Sequence, residues 1–154
     1  SAVFAPNGGR VLAASGFTAK VWDDTIGGLL HTLQHVLRVR SVVFAPNGCR
    51  VLTASNDGTA KVWNATTGGL LHTLQHGDWV HGNCMVHSAV FAPNGGRVLT
   101  ASTDGTAKVW DATTGGLLRT LQHGPGDGVT FAVSVSDGVR TLHNGGWVHS
   151  AVFA

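Results

Sequence analysis

Two sets of side chains in this 154-residue sequence have the types from which hydrolases assemble a base, a nucleophile and an orienting carboxylate: His35, Ser55 and Asp57, then His76, Ser102 and Asp104. A third group is richer in metal ligands. His76, His81, Cys84 and His87 fall within twelve residues, separated by four, two and two others, and imidazole with thiolate suits zinc or copper. A loop wrapping one ion can reach all four. Each set also has a plainer reading. The His, Ser and Asp recur at matching places in neighbouring stretches, which argues for a repeated structural role, so no catalytic residue is assigned. Trp79-Val-His81 and Met85-Val-His87 read as a slipped duplication of one motif, met again at Trp147-Val-His149. A solvent-facing loop that contacts a partner is therefore preferred to a zinc site, which stays as the alternative. No other cofactor is expected.

The elements that must position these residues are set by an internal repeat. Ser1-Ala-Val-Phe-Ala-Pro-Asn-Gly8 returns at Ser41 and Ser88, and its opening returns once more at Ser150, at spacings of 40, 47 and 62 residues. Within each unit, apolar and β-branched runs of about five residues alternate with Gly, Asn, Asp and Pro, the pattern of short strands joined by turns. In the third unit Ala89 to Ala92, Arg97 to Ser102, Ala107 to Asp111 and Leu117 to Gln122 read as four strands, with tight turns at Pro93-Asn-Gly-Gly96 and Asp104-Gly105. No stretch has helical periodicity.

A four-stranded unit recurring near 40 residues, with Trp-Asp closing its third strand, resembles the WD-repeat β-propeller family. The likeness spans positions 1 to 123 and rests on Val21-Trp22-Asp23, Val62-Trp63-Asn64 and Val109-Trp110-Asp111, each preceded by an Ala-Ser and a short turn. It implies an all-β fold, a partial or small propeller of four-stranded antiparallel blades at about 1–35, 36–76 and 77–123. It also implies that His35, Ser55, Asp57 and Trp63, and equally His76, Ser102, Asp104 and Trp110, form buried hydrogen-bond networks, with each indole nitrogen directed at the Ser. The family's Gly-His reads Gln34-His35, Gln75-His76 and Gln122-His123 here. The first blade lacks the turn Asp, because Ser15-Gly16-Phe17-Thr18 is one residue shorter than its counterparts. That blade is expected to be locally looser. Residues 124–154 keep only fragments of the pattern and read as a degenerate partial fourth blade.

Composition narrows the function. With 43% apolar and 12% charged residues the chain can bury a core, and a mean hydropathy of +0.15 suggests that a partner covers some apolar surface. The formal charge of +2 is spread thinly, with no basic run to follow a phosphate backbone, so no nucleic acid is expected. No apolar stretch is long enough to span a bilayer as a helix. Cys49 and Cys84 lie in different repeats and suggest no disulfide framework, which favours an intracellular location. Asn64-Ala-Thr66 fits a glycosylation acceptor, yet Asp111 holds the same place in the next repeat, and Pro125-Gly-Asp-Gly128 reads as a turn. Three blades and a remnant leave apolar faces and strand edges to be closed by copies of the chain or by other proteins. Trp79, Met85, Trp147, Arg38 and Arg40 are the expected partner contacts, because aromatic residues and Arg dominate interface hot spots. The expectation is a non-catalytic interaction or scaffold module.

Overall fold

The computed structural model describes residues 1–77 and 84–122. Among these residues twelve strands form three antiparallel sheets, each in chain order. The first holds β1 (Ala2–Phe4), β2 (Arg10–Ser15), β3 (Thr18–Asp23) and β4 (Leu29–Gln34). The second holds β5 (Val39–Phe44), β6 (Arg50–Ser55), β7 (Thr59–Asn64) and β8 (Leu70–Gln75). The third holds β9 (Val86–Phe91), β10 (Arg97–Ser102), β11 (Thr106–Asp111) and β12 (Leu117–Gln122). No helix occurs among the described residues. The expected remnant blade at 124–154 lies outside them.

Local chemistry sets the turns. In the turn after β5, Ala45 N donates to Arg50 O and Gly48 N donates to Ala45 O, both at 2.8 Å. Pro46 at the second turn position supplies the required φ. At the end of each third strand an Asx turn closes the chain: Asp23 Oδ1 accepts from Thr25 N, Asn64 Oδ1 from Thr66 N and Asp111 Oδ1 from Thr113 N, at 2.8 to 2.9 Å. Only the oxygen is needed, so Asn64 serves as well as Asp. The shortened turn of the first blade is a tight hairpin. Gly16, at φ +57°, and Phe17 make a two-residue hairpin, and pairing extends to Ser15 with Thr18.

The core lies between blades. Leu12, Ala19, Val21 and Leu33 of the first sheet pack on Val39, Val42, Val51, Trp63 and Ala65 of the second. The opposite face of the second sheet, with Leu52, Ala54, Ala60, Val62 and Leu74, packs on Val86, Ala89, Phe91, Val98, Trp110 and Ala112 of the third. Polar contacts lock the same seams. Arg10 Nη1 donates to Ala65 O at 2.6 Å, and Arg50 donates to Ala112 O at 2.7 Å and Gly95 O at 2.6 Å. Leu52 is 1% exposed whereas Leu70, on the outer strand of the same blade, is 49% exposed. Leu52→Ala should therefore cost about 2 to 5 kcal/mol in urea denaturation, and Leu70→Ala less than about 1 kcal/mol. Equal losses for the two variants would contradict this packing.

Candidate functional site

Each seam between blades is crossed by a buried His. His35 follows β4 of the first blade, and its Nδ1 lies 2.9 Å from Asp57 Oδ2 in the second. Its Nε2 lies 2.7 Å from Thr53 Oγ1, which also accepts the Trp63 indole N–H at 2.9 Å. One proton arrangement satisfies every group: the indole donates to Thr53, the Thr53 hydroxyl donates to Nε2, and Nδ1–H donates to the Asp57 carboxylate. Thr59 Oγ1 and Thr59 N complete the carboxylate shell through Oδ1. Backbone geometry permits this closeness. Gly58 follows Asp57, and a Cβ there would lie 2.6 Å from Gly77 O, so only glycine lets the chain after β8 cross the turn.

The next seam repeats the arrangement more loosely. Trp110 Nε1 donates to Thr100 Oγ1 at 2.8 Å, and His76 Nδ1 lies 3.4 Å from Asp104 Oδ2 and 3.3 Å from Thr106 Oγ1. His76 Nε2 is buried with no hydrogen-bond partner among the described residues. Asp57 is buried, whereas the Asp104 side chain is partly exposed, at 21%.

The indoles do not point at Ser55 and Ser102 as expected. Ser55 Oγ donates to Leu37 O at 3.1 Å and accepts from Asp57 N at 3.2 Å, and Ser102 Oγ accepts from Asp104 N at 3.3 Å. The reason is register. Trp63 pairs with Val51 across the hairpin, so its diagonal neighbour on the same face is Thr53, and Ser55 lies two residues further on. Trp110 pairs with Val98, which selects Thr100 in the same way. Reading the sequence for Ser passed over these Thr residues, although a period-2 count back from each hairpin turn would have found them.

Thr53, His35 and Asp57 thus have the connectivity of a nucleophile, base and orienting acid. Thr53 is fully buried, its oxygen already accepts the indole proton, and no substrate can approach it. Burial opposes ionisation of Asp57, but hydrogen bonds from His35, Thr59 and Val36 outweigh it and hold the carboxylate well below its ordinary range. Asp104 is shifted down in the same sense: burial opposes its charge, and His76 and Thr106 overcome that. At the outer rim, the N–H groups of Thr114 and Thr113 hold Asp111 below its ordinary value.

Of the expected zinc ligands, His81 lies outside the described residues, as do Trp79 and Trp147 among the expected partner contacts. Cys84 sits against Gly77, where an added Cβ would lie 2.6 Å from its sulfur, and His87 is half-buried on β9. Among the described residues no group of three or more His, Cys, Asp or Glu side chains is placed to hold a metal ion. Arg38, on the segment joining the first two blades, and Arg40, on β5, are exposed, and Arg40 Nε donates to Asn56 Oδ1 at 2.7 Å. Met85 is half-buried and its backbone N–H donates to Thr103 Oγ1 at 2.9 Å. No helix among the described residues is long and apolar enough to cross a membrane.

Four-stranded blades stacked face to face, joined by a Trp–Thr–His–Asp chain at the first seam and by a His–Asp contact at the second, define a partial β-propeller. The chain belongs to the WD40 family: the WD domain, G-beta repeat, matches residues 27–64 and 68–111, just over half of the sequence. No curated protein matches the chain. WD40 repeats mediate protein–protein interaction or scaffolding, and proteins built from them are typically non-catalytic.

Trp110 is nearly buried and anchors its seam, so Trp110→Ala should cost about 3 to 5 kcal/mol, read as a lowered denaturation midpoint. An unchanged midpoint would remove the indole from its anchoring role. The Asp57 network sets a second expectation. Because the folded state holds this carboxylate ionised at a pH where the unfolded chain, with pKa near about 3.9, takes up a proton, unfolding binds protons on the acid side. The stabilisation is whole above about pH 4 and is lost as pH falls further. Asp57→Asn should be less stable than the parent by on the order of 2 kcal/mol at pH 7, and the gap should narrow towards pH 2. A gap that widens on acidification would overturn the assignment.

Proposed function

We propose that this chain is a non-catalytic scaffold whose blades are completed by association, either with copies of itself or within a larger assembly. The observation that carries the reading is the outward face of the first blade. Phe4 is 73% exposed there, and Val11 and Trp22 are half-exposed. The matching positions of the second blade, Val51 and Trp63, are 0% and 7% exposed because the first blade covers them. An apolar blade face that its sisters bury is a surface built for contact.

The polar networks are poor places for chemistry, because their hydroxyls are buried and engaged. Arg38 and Arg40, exposed beside the first seam, suit the rim of an interface. Contact through Met85, Trp79 and Trp147 belongs to the same reading. Burying several hundred Å² of apolar surface, at roughly 25 cal/mol per Å², is enough to drive association after its entropic cost.

Sedimentation of the purified chain at micromolar concentration tests the proposal. The expected result is a species heavier than 15.9 kDa, or a monomer that binds a hydrophobic dye through its open face. A monodisperse monomer that binds no dye would defeat it.

A further inference from the structure

We infer that the outward face of the first blade is keyed to a propeller blade that carries an aliphatic residue where the first two blades carry His35 and His76. The inference rests on the scaffold reading and specifies the partner's chemistry. Three faces of the chain can receive a preceding blade, and they differ. The second blade meets the incoming His with Thr53, Asp57 and Thr59, and the third meets it with Asp104 and Thr106, while Thr100, in the place of Thr53, accepts from the Trp110 indole. In the first blade Ala13 stands where Thr53 and Thr100 stand. Phe17 takes the place of Gly58, as the backbone shows: His35 N donates to Phe17 O and His76 N to Gly58 O, both at 2.9 Å. Gly16 alone replaces Asn56-Asp57, so the carboxylate is gone. Thr18 Oγ1, the counterpart of Thr59, turns to Ser15 O at 3.2 Å.

The contacts that hold an incoming blade by its backbone are nonetheless kept. Lys61 Nζ and Lys108 Nζ lie over Trp63 and Trp110 and donate to Gln34 O and His76 O of the preceding blade. Lys20 holds the same pose, 5.9 Å from the Trp22 ring centre. Arg50 grips Ala112 O and Gly95 O on the third blade, and turn hydrogen bonds make Asp24 O and Gly8 O the matching pair on the first. Asp24 also adds an exposed carboxylate where Ala65 and Ala112 are buried, which favours a basic residue at the partner's rim.

The face therefore still receives a blade but has lost the socket for imidazole. A His delivered there would be buried against Ala13 with no counterpart of Thr53 or Asp57 to satisfy its ring nitrogens, a penalty that an aliphatic side chain avoids. The third blade runs on to Gln122-His123, so a head-to-tail copy of that blade is the wrong key.

The probe is one extra blade, a copy of residues 36–76, joined ahead of Ser1 of the full chain. One version keeps its terminal His and the other carries His76→Val in the added copy only. The Val-ended blade is expected to raise the thermal midpoint above the His-ended one by about 4 °C or more. The order should reverse when the receiving blade carries Ala13→Thr and the Asn-Asp-Gly turn of the second blade in place of Gly16-Phe17. Equal midpoints, a higher midpoint for the His-ended blade on the parent face, or no rise from either version would overturn the keying. Loss of this order while the parent chain still associates would sink the keying alone, whereas a dye-silent monomer that keeps the order would sink only the scaffold reading.

Discussion

A buried imidazole that belongs to one blade and is satisfied only by the next is the constraint on which this structure turns. His35 leaves the first sheet at the end of its outer strand and finds both ring partners, Asp57 and Thr53, in the second. Neither blade can hold that residue buried alone, because a buried polar ring without partners is costly. The contact makes stacking specific in a way that apolar faces cannot. Leu12 and Val21 would accept many neighbours, but Asp57 and Thr53 admit one side chain in one orientation.

Nearly identical strands acquire different environments from this stacking. β2 and β6 differ only at Ala13 and Thr53, yet β6 is buried at five consecutive positions while β2 is buried only at Leu12. Alternation of exposed and buried residues is thus not written into the strand itself. It arises where one face is open and vanishes where a blade lies on each side. The middle blade owes its dry interior to its two neighbours, and its outer strand still shows exposed Leu70 and Leu71 because nothing described stacks there.

Much of this was readable in the sequence because repeats amplify weak local signals. Turn residues recurring at fixed offsets marked the strands, and Trp with Asp or Asn at the close of each third strand marked the blade. His35, Asp57 and Trp63 stood out because rare residue types recurred in step. Thr53 and Thr100 did not, since Thr is ordinary in a strand and only the hairpin register reveals that it lies beside the indole. The looser geometry around His76 was illegible for a different reason. The residues around it have the same types as those around His35, yet the contact to the carboxylate is longer and Nε2 lacks the partner that Thr53 gives His35. What covers a blade face is equally unreadable from that face, as β2 and β6 demonstrate.

Two kinds of interaction with different ranges therefore divide the work. The Asx turns at Asp23, Asn64 and Asp111 and the Pro-Asn-Gly turns close within a few residues and set each blade's register whatever its neighbours do. The imidazole and guanidinium contacts reach across seams and act only once two blades exist. Stability in such an array is close to a sum of modest contributions within blades and stronger ones between nearest neighbours. A blade with two seams is then held more firmly than a blade with one, and the loss of a single seam residue weakens two blades together. The first and third blades, each with one described seam, sit at the weaker end of that ladder, and the receiving face of the first has lost the polar socket through Ala13 and the shortened turn. The exposed Phe4 of the first blade is the physical expression of a face that its sister blades bury, which is why the most contact-ready surface lies on a blade held by a single described seam.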